Sequence, residues 1–323
     1  MTSEKQITEI LQSKSQLRLY GYQNYFKSFI KLHNENRLPN IVLLSGPKGL
    51  GKSTFAYHFI NYLLSQNEKY EYSVENFQIN PKNYAFNQIQ NYIHPNFFLL
   101  EDNQSEENIK IDQIRSLIKF LNKSTYAKNL KIILLDNVEY LNHYSSNALL
   151  KSLEEPSKNT FFFIIHNNSS LIPDTIKSRC IQFKMHFNFF EKRNIFNKII
   201  QNYEFNFNKD NLNRFLYFDT PGNYLKRLVN LNNLNFNFSE NDLSCILFLI
   251  EKYKAKKDHE LLNFITLLIE NFYNELSLRD SENSNIYSND KTRILYLIYN
   301  MKKFNLDKKN LLISIDEIIK NAN

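Results

Sequence analysis

Glycine is scarce in this chain, with five residues in 323, and cysteine scarcer, with only Cys180 and Cys245. Two thiols cannot build a four-cysteine metal cage, which excludes a zinc module of that kind. A lone disulfide between them would be out of place in a reducing compartment. No apolar run approaches the roughly 18–20 residues that a membrane-spanning helix needs. The start, Met1-Thr2-Ser3-Glu4-Lys5, lacks the apolar core of a secretory signal. A reduced, cytoplasmic protein is the expectation. Tryptophan is absent while Asn, Lys, Ile, Phe and Tyr abound, the pattern of an AT-rich coding bias. The aromatic content of 15% is therefore no guide to function. The length allows two or three domains and an ample core.

What glycine there is lies concentrated. Gly46, Gly49 and Gly51 fall within Gly46-Pro47-Lys48-Gly49-Leu50-Gly51-Lys52-Ser53. This fits G-x-x-x-x-G-K-[ST], a loop whose backbone N–H groups cradle a nucleotide's phosphates. Ile41-Val42-Leu43-Leu44 before it reads as a buried strand. After it, Phe55, Phe59, Ile60, Leu63 and Leu64 lie on one helical stripe. Strand, glycine loop and helix together set a helix N-terminus against the phosphates. The residues Gly46, Pro47, Lys48, Gly49, Leu50, Gly51, Lys52, Ser53 and Thr54 are the candidate binders of ATP or ADP. Lys52 is expected to reach the β- and γ-phosphates, and Ser53 to ligate Mg²⁺.

A second landmark is Lys131-Ile132-Ile133-Leu134-Leu135-Asp136, an apolar run ending in an acid. A carboxylate at the carboxyl end of such a strand faces the crevice where ligands bind. Asp136 is the candidate partner of Ser53 in holding Mg²⁺, as in a Walker B element. Further strands are expected at 97–100, 160–165 and 181–183. Asn167, at the polar end of the second of these, joins the candidate nucleotide-binding set. Helices are expected at 16–41, broken by the proline of Leu38-Pro39 just before the first strand, at 111–121, 142–154 and just after Pro173, while 65–92 shows no clear period. Five strands alternating with helices predict an α/β, doubly wound parallel sheet. After Met185 the pattern is helical only, at 190–200, 212–218, 224–231, 243–253, 261–276 and 292–319, with 281–290 read as a polar linker. The net charge of +7 suits work near nucleic acid. The lysine clusters at 252–257 and 302–309 read as solvated helix faces.

At Asn147-Ala148-Leu149-Leu150-Lys151-Ser152-Leu153-Glu154-Glu155-Pro156, followed by Ser178-Arg179-Cys180, the chain resembles bacterial clamp-loader subunits. These are AAA+ proteins of DNA polymerase III, of the gamma/tau and delta-prime branch. The resemblance covers about residues 19–231. It implies an AAA+ P-loop domain over 1–185, a helical lid over 186–234 and a helical oligomerisation collar over 235–323. By the same resemblance Arg179 is a finger acting in trans on a neighbour's nucleotide; without the resemblance, the alternative for Arg179 is a local salt bridge. The implied partners are the gamma/tau and delta subunits, the sliding clamp and, through the complex, primer-template DNA, with no membrane.

Three departures from the family pattern bear on activity. Asn137 stands where hydrolysing members carry a glutamate, and an amide cannot accept the attacking water's proton. Glu139 would point to the sheet's other face if the strand continued. In Thr220-Pro221-Gly222-Asn223-Tyr224-Leu225, which looks like the lid's sensor 2 region, Gly222 takes the place of a phosphate-contacting arginine. The four-cysteine zinc module of many relatives is missing. Binding parts kept, hydrolytic parts eroded and Arg179 retained are the features of the delta-prime side of the branch. The alternatives are a hydrolysing gamma/tau-type subunit or another AAA+ DNA-processing ATPase. A P-loop small-molecule kinase would leave the helical C-terminal half unexplained.

Overall fold

The computed structural model describes residues 12–102, 108–123, 130–157, 159–168, 171–203, 216, 219–233, 242–255, 259–304 and 308–321. Five apolar runs form strands: β1 (Ile41–Ser45), β2 (Phe97–Leu100), β3 (Lys131–Leu135), β4 (Thr160–His166) and β5 (Ile181–Lys184). They make one sheet in the order β2-β3-β4-β1-β5, every neighbouring pair parallel. β1, β3 and β4 are buried at every position. That is why they read as unbroken apolar runs: helices cover both faces of a parallel sheet, so no solvent face is left to alternate.

One face is covered by α1 (Gln23–Asn34), α2 (Lys52–Leu64) and α3 (Tyr84–Gln90). Phe26, Phe29, Phe55 and Phe59 pack there against Val42, Leu44, Phe163 and Ile165. Their rings meet edge-on, as at Phe29–Phe55, 5.2 Å between centroids and 90° between planes. The other face carries α4 (Ile111–Asn122), α5 (His143–Glu154) and α6 (Asp174–Lys177). There Ile114, Leu117, Leu149, Leu153 and Ile176 pack on Leu43, Ile133, Leu135, Phe162 and Ile164. This is the α/β, doubly wound parallel sheet expected from the sequence, with the glycine loop leaving β1, the second strand from one edge.

The chain divides into two compact units, 1–226 and 227–323. The first holds the sheet, α7 (Phe189–Asn202) and the start of α8 (Pro221–Asn233), within which the division falls. The second holds α9 (Asp242–Ala255), α10 (His259–Arg279), α11 (Ser284–Phe304) and α12 (Lys308–Asn321). Each of these packs on the next, and α9 on α12, closing a bundle. Its buried stripes, such as Ile246, Leu249, Ile250 and Tyr253, or Ile294, Ile298 and Met301, follow helical spacing.

Several expectations are corrected. Of the helix expected over 16–41, only α1 forms. Leu17 and Leu19 instead lie along another backbone stretch, with Leu19 N–H donating to Phe77 O and Ile79 N–H to Leu17 O. The stretch 65–92 conceals α3, started by Asn83, whose side chain accepts from Phe86 N–H. The linker expected over 281–290 is mostly helix. α10 runs to Arg279, Asp280 caps a short turn by accepting from Asn283, and α11 begins at Ser284. Where a single helix is expected over 292–319, the described residues form two, α11 to Phe304 and α12 from Lys308, which pack on each other. The helix expected over 212–218 lies outside the described residues except for Leu216.

Candidate functional site

From the end of β1 the chain turns through Gly46–Gly51 into α2. Gly49 and Gly51 both take φ of 82°, a left-handed conformation that a side chain would oppose. Lys52 opens α2 and is only 2% exposed. Its Nζ donates to Gly46 O and Pro47 O, 2.7 Å each, so the ammonium is held by the loop's own carbonyls. Burial drives its pKa down to about 8, and the Asp136 and Glu139 carboxylates oppose that shift.

Ser53 and Asp136, far apart in sequence, meet: Ser53 Oγ donates to Asp136 Oδ1 at 3.1 Å. Asp136 follows β3, and burial raises its pKa against the pull of the Ser53 hydroxyl and Lys52. Because β2 lies beside β3, Glu101 comes near, and burial together with the Asp136 charge raises its pKa too. Paired hydroxyl and carboxylate oxygens in an acidic surrounding are the donor chemistry Mg²⁺ takes. The residues present therefore fit that ion.

Past Asp136 the strand stops. Asn137 adopts φ 60°, ψ 59°, and Val138–Tyr140 form a 3₁₀ turn. The condition for Glu139 lying on the other face is thus not met. Its Oε1 accepts the Asn167 backbone N–H at 3.1 Å, and its charge is felt at Lys52. Asn137 is tied on both sides. Its Nδ2 donates to Asp102 Oδ1 at 2.9 Å, and its Oδ1 accepts from Asn167 Nδ2 at 2.5 Å. Asn167 therefore stands beside the site through Asn137 and Glu139, directly after His166, whose carbonyl accepts from Gly46 N–H at 3.2 Å.

The P-loop is also braced from the start of α8. Thr220 Oγ1 donates to Lys48 O at 2.7 Å, Asn223 Nδ2 to the same oxygen at 3.1 Å, and Gly222 N–H to Gly49 O at 3.0 Å. A Cβ on Gly222 would lie 2.7 Å from Gly49 O. Sequence reasoning saw in Gly222 only an absent arginine. The geometry gives a positive reason for glycine, since two backbones touch there. Pro221-Gly222 at a helix start was the available signal.

Arg179 lies between α6 and β5, where Nη1 donates to Thr175 O at 2.8 Å and Nη2 to Glu154 Oε1 at 2.6 Å. Among the described residues none of its bonds reaches the P-loop of its own chain. Sequence reasoning named Arg179 but not Glu154, although both lie in the quoted motifs. Among the described residues there is no cluster of three or more His, Cys, Asp or Glu able to hold a metal, and no helix long and apolar enough to cross a membrane.

The profile of the family described as "DNA polymerase III, delta subunit" matches residues 21–188, more than half of the chain. The chain belongs to the DNA polymerase III delta subunit family. The matched stretch of this delta-family chain contains the P-loop, Asp136, Asn137, Glu154 and Arg179. Its relatives include DNA polymerase III subunit delta′ of Pseudomonas aeruginosa, 36% identical over 140 residues, 43% of this chain and 41% of that one. Subunit delta′ of Buchnera aphidicola (Schizaphis graminum) is 30% identical over 160 residues, 50% of this chain and 47% of that one. Subunit gamma from the same Buchnera is 27% identical over 180 residues, 56% and 47% of the two chains. The matches thus span less than half the length of these relatives. Among solved structures, a DNA polymerase III gamma subunit-related protein of Thermotoga maritima superposes with a TM-score of 0.49 at 17% identity, over 91% of this chain and 99% of that one. The clamp-loader resemblance read from Asn147–Pro156 and Ser178–Cys180 is met by these relatives.

Proposed function

We propose that the chain is the delta-prime-type subunit of a DNA polymerase III clamp loader, which helps place the sliding clamp on primed DNA. It binds nucleotide through Gly46–Thr54 but hydrolyses it poorly, and lends Arg179 to the nucleotide of a neighbouring subunit. Gamma/tau and delta subunits, the clamp and, through the assembly, primer-template DNA are its partners in the cytoplasm. The sheet domain (1–185), lid (186–234) and collar (235–323) divide the work, the collar holding the assembly together.

The observation that carries the reading is the contrast between two sites in one chain. Asn137, at the water-activating position, is an amide clamped by Asp102 and Asn167, and it cannot take a proton from water. Arg179 is bonded to Thr175 O and Glu154 Oε1, and among the described residues none of its bonds goes to the chain's own P-loop. A guanidinium is the group suited to charge developing on a transferring phosphoryl. Ser53 and Asp136 would hold Mg²⁺ with the nucleotide, and the ion would supply charge neutralisation at the phosphates. Lys52 would leave the Gly46 and Pro47 carbonyls for a phosphate oxygen.

The test on the isolated chain is equilibrium binding of ATP beside steady-state turnover. Binding with turnover far below the roughly 1–10 per second of ordinary enzymes is expected. Turnover in that range would instead support the hydrolysing gamma/tau-type reading. One observation favours that second reading: the Glu139 carboxylate comes back to the site, close enough to act on Lys52.

A further inference from the structure

Arg179 does not lie loose on the surface. Its side chain is 30% exposed and makes two bonds, to Thr175 O and to Glu154 Oε1. Thr175 belongs to the short α6 just ahead of Arg179 in sequence, so that contact is local. Glu154 belongs to the end of α5, 25 residues away, and reaches the guanidinium from a different helix.

Two features argue that this pair is not kept for folding. Glu154 is the last residue of α5, where the helix dipole disfavours a carboxylate. The pair is also partly solvated, with Glu154 52% exposed, and such pairs contribute little to stability. The pair does achieve one thing: it fixes the plane of the guanidinium. Arginine carries five N–H donors in a rigid fork. Two are engaged here, so among the described residues three remain for another acceptor. A group that must meet charge appearing only in the transition state works best when its orientation is set beforehand.

We infer that Glu154 is the positioning residue for Arg179: its carboxylate, 2.6 Å from Nη2, holds the fork at the angle from which the remaining N–H groups meet a neighbouring subunit's nucleotide. The inference rests on the reading of Arg179 as a finger acting in trans. Losing the carboxylate leaves the charge of Arg179 in place but lets the long side chain wander. That affects the rate of the chemical step and not the affinity of the neighbour for ATP.

The experiment uses the reconstituted clamp-loader complex, with ATP hydrolysis measured on primed DNA with clamp, and kcat and KM for ATP separated. The chain is wild type, Glu154→Ala, Glu154→Gln, Arg179→Ala or the Glu154→Ala/Arg179→Ala double variant. Glu154→Ala is expected to lower the kcat assigned to the neighbouring site about tenfold, the scale of one long side chain's lost order, with KM within about twofold. Glu154→Gln, which keeps a neutral acceptor, should fall between Ala and wild type. Glu154→Ala should have no further effect once Arg179 is alanine. Wild-type kcat in the Glu154→Ala complex, beside a slow Arg179→Ala complex, overturns the role of Glu154 alone. So does a loss from Glu154→Ala that persists undiminished in the Arg179→Ala background. A fully active Arg179→Ala complex overturns the finger reading, and the role of Glu154 with it.

Discussion

Lys52 is buried with a positive charge, and among the described residues its direct hydrogen-bond partners are the Gly46 and Pro47 carbonyl oxygens. Burial brings its pKa from 10.5 down to about 8, so the folded chain gives up that proton earlier than the unfolded one. Burying the ammonium is a cost below pH 8. The cost is relieved as the pH rises from 8 toward 10.5, where only the unfolded chain still holds the proton. A phosphate at the loop reverses this, because an anion beside Lys52 favours the ammonium. Nucleotide binding at pH 8 should therefore take up about half a proton, and affinity should fall as pH rises further. Calorimetry in two buffers of different ionisation enthalpy reads the uptake directly. Binding without uptake, or the same uptake in Lys52→Met, would count against Lys52 as the phosphate ligand. The pairing of Ser53 with Asp136 was legible in the sequence because each belongs to a motif with a fixed place at a strand's end. The clamp on Asn137 was not. It depends on Asn137 entering the left-handed region, which asparagine tolerates and no spacing announces. The same turn brings Glu139 back to the site.

At the scale of elements, the brace between the start of α8 and the P-loop makes Gly222 a packing residue. Placing at 222 the arginine that the family resemblance leads one to expect there should not confer hydrolysis. Any side chain at 222 must displace Gly49 O, which a Cβ would approach to 2.7 Å. Gly222→Ala is expected to cost on the order of 1–3 kcal/mol of stability, the scale of an overpacked contact, and Gly222→Arg at least as much. Thermal unfolding and nucleotide binding of the two variants measure it. An Arg variant as stable as wild type and faster in hydrolysis would show that the loop and α8 part readily. The strands were legible because a parallel sheet covered on both faces needs apolar residues at consecutive positions, as at Ile132–Leu135 and Phe161–Ile165. α3 escaped notice because its seven residues carry too short a stripe for periodicity to register. The start of α11 escaped because a solvated first turn looks like a linker. With no Pro or Gly in 281–290, nothing there obliges the helix to stop.

For the whole molecule, on the proposed reading one chain carries a nucleotide site that holds more than it turns over and an arginine that serves a neighbour. The parallel strands, the loop and the helical second unit follow from local pattern; the sheet order, which sets β1 between β4 and β5, does not. Nor does the trans role proposed for Arg179, since no contact within one chain can express it. A finger in trans typically contributes about 10³–10⁵ in rate at the site it serves. The measurement is ATP hydrolysis by the reconstituted complex on primed DNA with clamp, carrying wild-type or Arg179→Ala chain, with subunit stoichiometry determined in the same samples. The account predicts a correctly assembled Arg179→Ala complex whose hydrolysis and clamp loading are depressed, down to the rate sustained by sites that keep their own fingers. It also predicts unchanged nucleotide affinity at this chain's own P-loop. A correctly assembled Arg179→Ala complex that hydrolyses ATP and loads clamp at the wild-type rate would contradict it.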